Sequence, residues 1–196
     1  AAVLCRLRPL LARMPVAQKI PFVALETDAR HVDFVRRFGN VVYYGDPSRP
    51  DLLRSAGAGH ARIFINAIDN PEASLRATRV VKRLYPSLKI FARAHDRRHA
   101  WQLMDLGANA TRETFASGLE MGRDVLIALG ISPEQATQRA AKFRAHDEAL
   151  LASQHLIYDD EAALVESAKQ ARSELEQLFE ADAEELADPG AIPPGA

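Results

Sequence analysis

A chain of 196 residues, 47% hydrophobic and 26% charged, suits one α/β domain with an appendage, and it holds no run of about 18 apolar residues that could cross a membrane as a helix. Its one cysteine, Cys5, excludes an internal disulfide and fits a reducing, cytosolic compartment. The net charge of −1 is unevenly spread, because residues 159–196 hold eleven acids against only Lys169 and Arg172, which leaves the rest of the chain basic. A solvated acidic tail accounts for this, as does a basic cleft for an anionic ligand; no interleaving of aromatic and basic residues supports nucleic acid as a partner.

In chain order, residues 1–14 contain no glycine, and the first glycine of the chain is Gly39. They read as an anomalous leader, with Val3-Leu4 cut off from any secretory pattern by Arg6, Arg8 and Pro9. Phe22-Val23-Ala24-Leu25 is a short apolar run ending in Glu26, the pattern of a buried strand. Asp28 can cap a helix carrying Val32, Val35 and Phe38, which Gly39 stops. Val41 to Tyr44 predicts a second strand ending at Gly45-Asp46, and Asp51 to Ser55 a short helix after Pro50. Ile63-Phe64-Ile65 predicts a third strand, closing on Asn66 to Asn70, and Pro71 opens a helix with Leu75, Thr78, Val81 and Leu84 on one face. Lys89 to Arg93 predicts a fourth strand, and Asp96 caps a helix running to Gly107.

Four short apolar strands separated by helices predict βα units and a Rossmann-like parallel sheet with flanking helices. Such sheets bind ligands beyond the carboxyl ends of their strands, which here carry Glu26, Asp46, Asp69 and Arg93. An acid at the position of Glu26 grips a ribose hydroxyl in a dinucleotide fold, and a glycine-rich phosphate loop should lie about 20 residues before it. No glycine stands there. The expectation is therefore an α/β domain incomplete at its N-terminus, entered midway, without its first strand and N–H phosphate cradle.

Beyond Gly107 the pattern turns helical. Glu113 to Gly130 predicts one helix, and Ser132-Pro133-Glu134-Gln135 starts another that runs towards Ser153. A third, acidic helix carries Leu164, Ala168, Ala171, Leu175 and Leu178 at heptad spacing, for packing on the domain or as a partner seam. Residues 188–196 read as a disordered end.

Three look-alike motifs carry no chemistry. His95 and His99 are four apart but have two arginines between them and no third ligand at usable spacing, so a metal site is not expected. Tyr85 and Lys89 have a dehydrogenase spacing, but Pro86 keeps them off one helix face. Cys5 has no base beside it to make it a nucleophile.

The segments Phe-Val-Ala-Leu-Glu-Thr-Asp (22–28), Val-Val-Tyr-Tyr-Gly-Asp (41–46), Asp-Leu-Leu-Arg-Ser-Ala-Gly-Ala (51–58) and Ile-Asn-Ala-Ile-Asp-Asn (65–70) stand in this order. Ile-Phe-Ala-Arg-Ala-His-Asp (90–96) and Arg-Glu-Thr-Phe (112–115) follow them. Together they resemble the regulator of potassium conductance (RCK) domain, also called KTN or TrkA-N, and are most similar to the C-terminal domains of glutathione-gated Kef-type potassium/proton antiporters. The resemblance covers about residues 16–155. It implies a non-catalytic, ligand-sensing domain at the cytoplasmic face of the bacterial inner membrane. It also implies a homodimer partnered with an antiporter membrane domain and, in some members, with an ancillary oxidoreductase subunit.

The resemblance further implies an adenine nucleotide, AMP or NAD(H), weakened here by the missing loop, and glutathione or its adducts as regulator. Glu26 would hold the ribose with Asp28 beside it, Asp46 would sit near the adenine, and Asp69, Asn70 and Arg93 would flank the nucleotide. Asp46 serves equally as a turn residue, Asp69-Asn70 as a helix cap, and Arg112 as one half of a surface ion pair. Arg112 takes the family's glutathione-contacting arginine position, and Asp147 stands where the family has a glutathione-contacting asparagine. The division expected is a leader at 1–14, the KTN domain at 15–111, dimerisation and ligand helices at 112–158, and an acidic helix and tail at 159–196. The alternative is a fragment of a Rossmann-fold NAD-dependent oxidoreductase.

Overall fold

In the computed structural model, residues 2–5, 17–37 and 42–187 are described. Six strands form one parallel sheet: β1 (Ala2–Cys5), β2 (Phe22–Glu26), β3 (Val42–Tyr44), β4 (Ile63–Asn66), β5 (Lys89–Ala94) and β6 (Asn109–Arg112). Their order across the sheet is β3-β2-β1-β4-β5-β6. That is the doubly wound dinucleotide-binding order, which reverses direction between β1 and β4.

The first strand is present, against the expectation of a domain lacking it. Ala2–Cys5 is the central strand: Val3 sits opposite Val23 on one side and Phe64 on the other, and is 1% exposed. Ala-Val-Leu-Cys is an apolar run as long as β4, but no glycine turn marks its end and Arg6 follows directly, so sequence pattern alone merges it with the basic stretch behind. The segment where the phosphate loop was sought, residues 6–16, lies outside the described residues, as do the expected disordered end and Phe38. The strand β6 also went unforeseen. As an edge strand it pairs only with β5, and Asn-Ala-Thr-Arg offers no large apolar side chain.

The predicted helices follow their caps. Asp28 Oδ1 accepts the N–H of Arg30 at 3.0 Å and starts α1 (Ala29–Arg36). Helix α2 spans Pro50–Ser55, and α3 (Pro71–Leu84) is capped by Asn70, with Pro71 as its first residue. Asp96 caps α4 (Arg97–Asp105), which ends where Gly107 takes a φ of 71°, a left-handed turn that glycine adopts without Cβ strain. At Gly45, a Cβ would meet Leu52 Cδ1 at 2.8 Å, so glycine lets the end of β3 lie against α2. The Gly45 N–H donates to the Glu26 carbonyl at 2.9 Å and ties the ends of β2 and β3 together.

Phe64, Ile90, Leu53, Val81 and Leu103 are all 1% exposed or less and form the core with the helices of the sheet. The chain divides into two compact units, 1–113 and 114–196. The boundary lies two residues beyond the expected one because Arg112 is still in β6.

The second unit contains α5 (Phe115–Ala128), α6 (Pro133–Gln154, capped by Ser132) and α7 (Glu161–Ala187). Helices α6 and α7 are joined by His146 Nε2 on the Ala171 carbonyl at 3.1 Å and by Gln154 on Ser167 at 3.3 Å. The face of α7 turned inward therefore includes Ser167 and Ala171, while Ala168 of the heptad series is exposed. Among the described residues no helix is long and apolar enough to cross a membrane.

Candidate functional site

The carboxyl ends of β2 and β4 and the turn after β3 enclose a cleft of about 260 Å³. Glu26, Asp46, Asp69 and Asn70 line it together, as expected for the strand ends. Glu26 is only 2% exposed. Its Oε1 accepts the N–H groups of Thr27 at 2.8 Å and Asp28 at 3.1 Å, and its Oε2 lies 3.2 Å from His31 Nδ1. The two N–H donors on Oε1 offset part of the cost of burying this carboxylate, which is several kcal/mol for an uncompensated charge. The His31 contact is at ion-pair distance but is not a hydrogen bond, and Oε2 accepts none among the described residues.

Asp46 is exposed and does both things the sequence allows: it faces the cleft, and its Oδ1 accepts the Ser48 N–H at 2.8 Å in a tight turn. Asn70 likewise lines the cleft while accepting the Ala73 N–H at 2.9 Å as the cap of α3. Asp69 pairs with Arg93, whose guanidinium also reaches Glu113. Arg93 is therefore a strut between two carboxylates, 13% exposed, and is not in the cleft lining. Asp28 is outside the lining as well, with one carboxylate oxygen committed to the start of α1.

Three further residues matter here and were not singled out by sequence reasoning. Arg76 brings a guanidinium to the lining from the second turn of α3, 3.9 Å from Glu72. His31 faces Glu26. Asn66, 1% exposed at the end of β4, donates to the Ser74 carbonyl, Ser74 Oγ and Thr78 Oγ1 at 2.9–3.0 Å and accepts the Ile68 N–H at 3.2 Å. It locks the turn that carries Asp69. The available signal was a polar residue ending an apolar strand, with Ser and Thr at helical spacing on the next helix.

Among the described residues the lining brings three carboxylates and one guanidinium, which favour ligand groups that donate hydrogen bonds, such as sugar hydroxyls and an exocyclic amine. His99 Nδ1 accepts the His95 backbone N–H at 3.1 Å, which commits that nitrogen, and burial lowers its pKa.

The two residues linked to glutathione by resemblance fall in different units. Arg112 is half-buried in β6, and Asp147 is 5% exposed in α6. The second unit has a groove of its own, about 500 Å³, lined by Phe115, Leu119, Leu126, Phe143 and Phe179. Helix α5, apolar over most of its length, buries none of its residues; Met121, Val125 and Leu129 are 70%, 51% and 77% exposed.

A TrkA-N domain model matches residues 9–112, and a model described as the potassium efflux system KefB C-terminal domain matches residues 117–191. The chain is 36% identical over 182 residues to a glutathione-regulated potassium-efflux system protein KefC of Escherichia coli O139:H28. That match takes in 92% of this chain and 29% of KefC, so the chain spans less than a third of this relative. Among solved structures, the Shewanella denitrificans Kef C-terminal domain in its AMP-bound form is 34% identical with a TM-score of 0.72, over 80% of this chain and 98% of that one. The TrkA-N domain of the inner membrane protein ybaL from Escherichia coli is 26% identical with a TM-score of 0.55, over 65% and 95% of the two chains.

Proposed function

The chain belongs to the TrkA-N family and, within it, to the C-terminal domains of Kef-type potassium-efflux systems, and from that premise we propose that it binds an adenine nucleotide and regulates potassium/proton antiport by a membrane domain. The observation that carries the nucleotide is the buried Glu26 at the β2 end of a cleft beside the β1/β4 switch point. A Kef C-terminal domain 34% identical to this chain has been solved with AMP. The acid-lined cleft fits the ribose and base better than the phosphate. No glycine stands between Cys5 and Glu26 to bring backbone N–H groups against a phosphate, so the phosphate end is the weak one.

The experiment is calorimetry of AMP and adenosine against the parent chain and Glu26→Gln. The expected result is weak binding, AMP and adenosine within about threefold of each other, and a loss of about tenfold in the variant, the range for one hydrogen bond to a charged group. A variant that binds AMP as the parent does would remove Glu26 from the site.

The regulator is read as non-catalytic and as acting at the cytoplasmic face of the inner membrane. Relatives named as potassium-efflux proteins favour this over a fragment of an oxidoreductase. The uncovered α5 supports a homodimer through the helices of the second unit. Glutathione or its adducts as the gating ligand, with Arg112 and Asp147 each proposed as a contact from the resemblance alone, and an ancillary oxidoreductase subunit complete the proposal by likeness to KefC.

A further inference from the structure

We infer that Asn66 is a positioning residue for the cleft: it sets the cleft's shape, and with it the affinity for a nucleotide, without touching the ligand. The inference rests on the cleft being a nucleotide site. Asn66 ends β4, is 1% exposed and does not belong to the lining. It bonds instead to two elements that carry the lining. Its Oδ1 accepts the Ile68 N–H at 3.2 Å, in the turn that brings Ile68, Asp69 and Asn70 to the cleft. Its Nδ2 donates to the Ser74 carbonyl and Thr78 Oγ1 at 2.9 Å and to Ser74 Oγ at 3.0 Å, on α3, which brings Ala73 and Arg76.

One amide therefore sets the distance between turn and helix, and the position calls for an amide. The turn presents a donor, and the helix presents acceptors. Thr78 Oγ1 commits its own proton to the Ser74 carbonyl at 2.9 Å, so its lone pairs are left for Asn66. An ionised aspartate has the same size but offers acceptors alone, and leucine offers neither arm. Ser74 and Thr78 are buried and four apart, so both reach Asn66 from successive turns of one helix face. A buried polar network whose members are bonded is rigid, and groups that hold a ligand must be kept within about 0.5 Å of their productive places.

The experiment is calorimetry of AMP against the full chain and its variants, each checked for folding by a urea melt. Asn66→Leu keeps the branched shape and removes both arms, so it should weaken AMP by about tenfold or more, as expected for several lost hydrogen bonds. Thr78→Val keeps the packing and removes one acceptor, and should weaken AMP by about three- to tenfold, the range for one bond. Thr78→Ser deletes a methyl group from the core but keeps the acceptor. It should lower the urea midpoint and leave AMP affinity unchanged. Val81→Ala, a buried position of the same helix outside the network, should do likewise.

Affinity and stability thus separate in a way that a merely structural residue does not produce. A folded Asn66→Leu chain that binds AMP as the parent does overturns the inference. So does a loss in Thr78→Ser or Val81→Ala equal to that in Thr78→Val, which would assign the effect to packing. If Asn66→Leu does not fold, the Thr78 pair decides alone. A parent that binds no AMP at millimolar concentration overturns the nucleotide reading itself, before any variant is compared.

Discussion

At the scale of single residues, the sequence showed which acids end the strands but not what each oxygen does there. Glu26, Asp46 and Asn70 were legible because each follows an apolar run at a place where chain direction changes. The turn role of Asp46 and the cap role of Asn70 were legible as well; what spacing did not show is that each residue does both, bonding its own turn or helix start while lining the cleft. Asn66 was hidden for a different reason: its partners Ser74 and Thr78 come within reach only after α3 folds back over β4. His99 shows how a motif misleads. Its spacing to His95 resembles a metal pair, but the ring accepts the His95 N–H and its Nε2 is buried without a hydrogen-bond partner. Burial lowers its pKa below the ordinary 6.5, an effect opposed by Asp96 and aided by His95 and Arg93. The unfolded chain therefore binds a proton near pH 6.5 that the folded chain refuses. The contribution of His99 is complete above that pH and declines as pH falls through the folded value. Urea midpoints measured from pH 7.5 to 5 should fall less steeply for His99→Gln than for the parent. Parallel curves would show that the ring is not held neutral.

At the scale of elements, the strands that were legible carry apolar runs bounded by turn residues, including β3 and β5, which leave Tyr43, Tyr44 and Phe91 exposed. The runs in β2, β4 and β5 exceed anything a solvated loop would carry, and their apolar residues end at polar ones that mark the ligand edge. The central β1 and the edge β6 failed for different reasons, one because it runs straight into a basic stretch with no turn residue to end it, the other because it is polar. Helix α5 was legible as a helix, but not its exposure. Phe115, Leu119 and Leu126 line a groove, while Met121, Val125 and Leu129, four residues apart, form a second stripe in water. An apolar helix that buries nothing is stable in solution when a partner covers it. A second copy is the occupant expected here, burying on the order of 1,600 Å² in all. The double substitution Val125→Glu with Leu129→Glu changes only exposed positions and keeps good helix formers, so it should leave each protomer folded. Analytical ultracentrifugation at tens of micromolar should show a dimer for the parent and a monomer for the variant. A parent that sediments as a folded monomer counts decisively against the dimer.

At the scale of the whole molecule, the chain spans 29% of a KefC relative, and the proposed gating has to be tested in an intact transporter. Arg112 is proposed, from the resemblance of Arg-Glu-Thr-Phe (112–115), to contact glutathione, whose two carboxylates a guanidinium can hold through two parallel charge-assisted bonds. Arg112→Ala should weaken glutathione by about 1.5–3 kcal/mol, the range for hydrogen bonds to charged groups. Arg112→Lys should restore only part of this, because an ammonium is a point charge without the planar fork. Asp147, 5% exposed, stands where the resemblance implies an asparagine. An acid there opposes an anionic ligand brought near it where an amide does not, so Asp147→Asn is proposed to tighten glutathione. These shifts have opposite signs, which separates them from a general loss of folding, since misfolding would weaken the response in every variant. The measurement is a glutathione titration of potassium efflux from vesicles holding the parent and each of the three variants. Equal half-maximal concentrations across all four would confine the domain to nucleotide sensing and place the glutathione site, if the transporter has one, on other residues.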